Sequence, residues 1–154
     1  MALAVGVGAV IFHDLKNDRT NNFDFALEEV VQFEGETGPY VQYTHARAMS
    51  ILRKANHTVD TQAAFSLTDD DAWEVLKLIE NYPNVVRFAE EKCEPSAIAK
   101  FVINLAQAFN KYYAHTKVLV EDEAFNSRIA LVQTTASILK QGLALLGVAA
   151  PDEM

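Results

Sequence analysis

Six glycines and four prolines in 154 residues leave this chain few places to turn. Sandwiches and barrels need turn residues about every 8–12 positions, so the scarcity favours a few long helices. Apolar spacing agrees with this. Val41, Thr44, Ala48, Ile51, Leu52 and Ala55 recur at intervals of three and four, and so do Ile98, Phe101, Val102, Leu105, Phe109 and Tyr112. A third stripe through Ile129, Val132, Ala136, Leu139 and Leu143 predicts a last helix from about Asp122 to Leu146. Gly147 fits its C-terminal cap, with Pro151 just beyond. Between these stripes, Thr68 is expected to cap a helix whose first turn carries Asp69, Asp70 and Asp71. Trp73, Leu76, Ile79 and Tyr82 are its expected buried face, and Pro83 its stop. A short helix over 85–92 follows, then Pro95 in the first turn of the next. The fold class is an all-α helical bundle, with a less regular lead-in over 1–39 and a helical domain over 40–154.

Half the residues are hydrophobic and 22% are charged, which excludes a disordered chain. Cys93 is the single cysteine, so no internal disulfide is available and a reducing, cytoplasmic setting is expected. The longest apolar run, Ala2 to Phe12, is too short to cross a bilayer and has no cationic leader before it. It reads as a buried N-terminal helix. Asn56-His57-Thr58 fits a glycosylation sequon, but without an export signal it reads as chance.

No self-contained active site is visible. Gly6-x-Gly8 lacks the third glycine of a dinucleotide loop. His13, His45, His57 and His115 have no zinc spacing. No Gly-rich loop ends in Lys-Ser or Lys-Thr, and no Gly-x-Ser-x-Gly elbow occurs. Glu90, Glu91 and Glu94 surround Cys93 and disfavour a thiolate. Asp69-Asp70-Asp71 is better explained as helix capping than as a magnesium site, because consecutive helical residues diverge. Neither catalytic nor metal-binding residues are expected.

The net charge of -8 argues at first against a nucleic-acid partner. Its distribution is uneven, however. Residues 40–62 carry Arg47, Arg53 and Lys54 against Asp60 alone, and residues 100–120 carry Lys100, Lys111 and Lys117 with no acid. Aromatic residues lie in both islands. Tyr43 and Arg47 stand at i, i+4 on one helix face, with Tyr40 and Arg53 in the same segment. Tyr112 and Tyr113 adjoin Lys111 and Lys117. Rings beside cations suit unstacked bases: the ring stacks while the cation holds phosphate or a base edge. A buried tyrosine with its hydroxyl at the surface is the ordinary alternative. Two adjacent tyrosines cannot both face one core, so at least one of Tyr112 and Tyr113 is expected outside.

Several blocks resemble the C-terminal portion of the arginyl-tRNA synthetase family. They are Phe23-Asp24-Phe25, the run Phe33-Glu34-Gly35-Glu36-Thr37-Gly38-Pro39-Tyr40, and Val41-Gln42-Tyr43-Thr44-His45-Ala46-Arg47. Glu94-Pro95, Phe109-Asn110-Lys111-Tyr112-Tyr113, Val118-Leu119, Gly142-Leu143, Leu146-Gly147 and the ending Pro151-Asp152-Glu153-Met154 extend the resemblance over essentially the whole chain. It implies a helical bundle of the class I synthetase anticodon-binding (DALR) type, preceded over 1–39 by the end of the catalytic part and a connecting helix. It also implies a partner, the anticodon stem-loop of an arginine tRNA, and a catalytic domain of the same synthetase that uses ATP with magnesium. The His-Ile-Gly-His and Lys-Met-Ser-Lys-Ser motifs of that catalytic domain do not occur in these 154 residues. The chain is therefore expected to be an inactive C-terminal fragment that holds no cofactor. By motif, the resemblance places Tyr43, Arg47, Arg53, Tyr112 or Tyr113, and Met154 at the anticodon; Lys111 and Lys117 join them from the basic islands. Members often carry Arg before the final Met, where this chain has Glu153, so a cationic contact from the tail is unsupported. Neither DNA nor membrane is an expected partner. The competing expectation is a helical protein-interaction or scaffold module without RNA binding, docking a catalytic partner through Ala2–Phe12.

Overall fold

The computed structural model describes residues 2–154 as six helices, with no strand among them. In chain order these are α1 (Ala2–Lys16), α2 (Leu27–Val30), α3 (Gly38–Ala55), α4 (Asp70–Lys92), α5 (Ser96–His115) and α6 (Phe125–Leu145). The apolar stripes read from the sequence become the core. α5 is the hub: it meets α1, α3, α4 and α6, and buries Val102, Leu105, Ala106, Phe109 and Tyr112. Val41, Ala48 and Ile51 of α3 and Ile129, Val132, Leu139 and Leu143 of α6 close around it. No helix among the described residues is long and apolar enough to cross a membrane.

The less regular lead-in lies between α1 and α3, apart from the single turn of α2, and residues 2–16 form the expected N-terminal helix, which reaches the core through Phe12. Four local expectations are corrected. α1 is buried along one narrow stripe of Gly8, Ala9 and Phe12, while Leu3, Val7 and Val10 stay exposed. The cap of α4 is Asp69, not Thr68; its carboxylate accepts from Ala72 N at 2.8 Å. Pro83 does not stop α4, which runs on to Lys92. The proline ring is on the exposed side, and packing on α5 holds both flanks, through Val75 and Ala89 and through the Tyr82–Phe101 stack at 5.3 Å. Interior proline costs about 3 kcal/mol in an isolated helix, and here tertiary contact outweighs it. Trp73 is 58% exposed because the buried phase of α4 passes through Ala72 and Val75 instead.

Two helix ends matter for the site. Thr37 caps α3 by accepting from Tyr40 N at 3.2 Å, with Pro39 in the first turn. α6 ends in a paired bond set, Gly147 N to Ala144 O and Val148 N to Leu143 O. This closure requires the left-handed φ of 72° that Gly147 adopts without strain. It turns the tail back onto the bundle, where Val148 is buried.

Candidate nucleic-acid interface

Where α3, α5, the 116–124 loop and the tail converge, a cleft of about 440 Å³ opens. Tyr43, Arg47, Arg53 and Lys54 of α3 line it, with Tyr113 of α5 and Met154 of the tail. Residues 43, 47 and 54 recur at helical spacing, so one face of α3 delivers a ring and two cations to the same opening. Leu119 supplies an apolar patch, and Glu153 is the one carboxylate of the lining.

Arg47 is the centre of the site. Its guanidinium carbon lies 4.9 Å from the centroid of Tyr43 and 5.6 Å from that of Tyr113, so the cation is held between two ring faces. One terminal nitrogen donates to Asn110 Oδ1 at 2.6 Å, and the other reaches the Tyr43 hydroxyl at 3.4 Å. Asn110 is itself fixed, donating to the Tyr40 hydroxyl at 3.0 Å and to Thr44 Oγ1 at 2.9 Å. A polar relay thus orients Arg47 from below, and its remaining N–H groups are available to an acceptor in the cleft. Tyr43 and Tyr113 are each 40% exposed, so each ring is anchored on one side and open on the other.

Met154 arrives by a different route. The tail lies over α3, where Gln42 Nε2 donates to Ala149 O at 2.8 Å and His45 Nδ1 to Pro151 O at 3.0 Å. Arg53 Nη1 donates to Asp152 O at 3.1 Å, and the same guanidinium pairs with Glu153 at 3.6 Å. Glu153 therefore replaces a tail cation with a partner for Arg53. Burial holds the His45 pKa below the ordinary imidazole range, against the opposing pull of the Pro151 carbonyl and Asp152. On the far side of Tyr43 and Met154 lies an apolar groove of about 830 Å³, walled by Val5, Val31 and Phe33. Phe33 meets Tyr43 edge-on at 6.4 Å.

Three residues expected at the site stand elsewhere. Tyr112 is fully buried against Phe109, and burial pushes its hydroxyl pKa up to about 12; its neighbour Tyr113 is the exposed one. Lys111 points toward α4 and pairs with Asp71 at 2.7 Å. The same Asp71 accepts from His115, and these two bonds hold its pKa below the ordinary carboxylate range. Lys117 is exposed but does not line the cleft. Sequence reasoning missed Lys54 and Asn110 as site residues; helical phase from Arg47 could have found the first, and nothing in the sequence marked the second. It also missed Arg128, whose buried guanidinium binds the carbonyls of Val118 and Val120 and pairs with Asp122 at 2.7 Å. Those bonds fix the loop that carries Leu119.

The donor set suits an anionic, aromatic ligand. It does not fit a nucleotide–magnesium site: one carboxylate beside three cations lines the cleft, and no acidic or histidine cluster able to hold a metal occurs among the described residues.

Residues 41–154 match the DALR anticodon binding domain. The chain is 65% identical over its whole length to an arginine–tRNA ligase of Enterococcus faecalis and 60% to one of Lactiplantibacillus plantarum. It spans 27% of the length of each. Its structure superposes on Thermus thermophilus arginyl-tRNA synthetase with a TM-score of 0.89 at 36% identity, covering 99% of this chain and 27% of that one. For the Plasmodium falciparum arginyl-tRNA synthetase the TM-score is 0.90 at 26% identity, covering 98% and 27%.

Proposed function

This chain belongs to the DALR anticodon binding domain family, and on that premise we propose that its cleft reads the anticodon stem-loop of an arginine tRNA. The observation that carries the reading is the Arg47 guanidinium held between Tyr43 and Tyr113 beside Met154. Anticodon bases are unstacked and present a flat face and a hydrogen-bonding edge. The open faces of Tyr43 and Tyr113 and the thioether of Met154 supply stacking surface, worth about 1–3 kcal/mol per base for an aromatic ring. Arg47 supplies a fixed fork of donors for a base edge, while Lys54 and Arg53 face phosphate. Because the relay through Asn110 orients Arg47 before the ligand arrives, little side-chain entropy remains to be lost on binding.

Attachment of arginine to the tRNA, with ATP and magnesium, is assigned to the remainder of a longer cytoplasmic protein, in keeping with the 27% coverage of the ligases. The decisive experiment titrates this chain against an arginine-anticodon stem-loop and against the same hairpin with the anticodon bases replaced. Tighter binding of the first, weakening with salt, is expected. Equal affinity, or no saturable binding to either, would overturn the reading and favour a protein-docking scaffold.

A further inference from the structure

We infer that Gln42 and His45 are positioning residues for the tail: neither lines the cleft, yet together they set where Met154 stands. This rests on the reading of the cleft as an RNA site. Both side chains are polar and almost completely buried, at 0% and 1% exposure. A buried amide or imidazole is costly unless it is hydrogen-bonded, and each spends a bond on a tail carbonyl rather than on its own helix. The spacing makes this a matched pair. Residues 42 and 45 are one turn apart on one face of α3, and the carbonyls they hold, 149 and 151, are two positions apart on the tail.

Gln42 also donates to Ala4 O at 3.3 Å, so one amide joins α1, α3 and the tail. That junction needs Gly8, where a Cβ would stand 2.8 Å from Gln42 Nε2. With the Gly147 turn at one end and Arg53 on Asp152 at the other, the backbone of residues 148–152 is fixed along its length. Only Glu153 lies between the last of these bonds and Met154, so the methionine cannot wander far from Tyr43.

The test uses the whole chain with its methionine methyl groups labelled with carbon-13; Met1, Met49 and Met154 then report separately. In His45→Phe, which keeps the ring volume and removes the donor, the Met154 methyl signal is expected to move toward that of a solvent-exposed methionine. Met49, half-buried on α3, should stay in place and report an intact fold. His45→Asn, whose amide can reproduce the Nδ1 donor, should restore the native Met154 position. Gln42→Leu provides the second variant.

Affinity for the arginine-anticodon stem-loop is expected to fall about tenfold in His45→Phe and about tenfold in Met154→Ala. The double variant should lose no more than either alone, because His45 acts only through the tail. A Met154 signal unmoved in both His45→Phe and Gln42→Leu, or losses that simply add, would overturn the inference. If the parent chain binds no RNA, the methyl signals still decide the tail inference, and the anticodon reading alone falls.

Discussion

Tyr112 and Tyr113 are adjacent, chemically identical and end in opposite surroundings. Tyr112 has no exposed surface and belongs to the core, whereas Tyr113 is 40% exposed and faces Arg47. The cations divide in the same way. Lys111 is tied to Asp71 on the α4 side, while Arg47 is turned into the cleft between two rings. Each residue of a helix rotates about 100° from the last. Positions 110 and 113 therefore share the α3 side of α5, positions 109 and 112 the core, and position 111 the flank toward α4. A segment rich in tyrosine and lysine is not itself a binding surface; helical phase selects which members face the cleft.

The contrast can be broken most sharply at Tyr112. Replacing it by Ala should cost about 3–5 kcal/mol of stability, read by thermal or denaturant unfolding, because a large buried ring leaves a cavity. Tyr112→Phe should leave RNA affinity unchanged, since the hydroxyl lies outside the cleft. Arg47→Ala comes next. It should weaken the arginine-anticodon stem-loop by about 10- to 100-fold in a titration, with the helical signal of circular dichroism retained. Tyr113→Ala should cost about tenfold in the same titration, through lost stacking. Lys111→Ala, the matching change on the other flank, should alter affinity by less than about twofold and leave the melting temperature nearly unchanged. If Lys111→Ala and Arg47→Ala weakened RNA equally, the division of α5 into two flanks would carry no functional meaning.

The smallest effect is on pH dependence, where the buried His45 and the hydrogen-bonded carboxylates of Asp71 and Asp122 respond in different ranges. The folded-state pKa of His45 lies below its unfolded value, so the unfolded chain binds the proton first as pH falls. This contribution to stability is complete above about pH 6.5 and is lost as pH drops from there toward the folded pKa. Melting curves between pH 8 and 5 should show that loss, and His45→Asn should flatten it. Asp71 and Asp122 act lower, since their folded pKa values are depressed and their stabilisation is lost only in the carboxylate range. The two windows are therefore separable.

Much of this was legible in the chain itself. The i, i+4 placement of Tyr43 and Arg47 survives because a helix propagates local spacing faithfully, and three of the four long apolar stripes run where the spacing puts them. The errors lie where local rules compete with packing. Pro83 ends an isolated helix, but α4 is held on both sides of it by α5. Trp73 is the largest apolar residue of its segment, but its size does not set the phase in which α4 turns.

From the sequence alone follow the class of the fold and the pairing of rings with cations on which the proposed ligand rests. Few turn residues and regular apolar periods permit little besides packed helices, and tyrosines beside arginines suit bases and phosphates. Which of those residues meet follows only from how the helices pack. Asn110 reaches Arg47 across 63 positions, His45 holds Pro151 across 106, and Met154 reaches Tyr43 only because Gly147 turns the tail back. Periodicity is a property of neighbours within one turn. A binding site is a property of helices brought side by side, and their relative rotation is fixed by how the core packs.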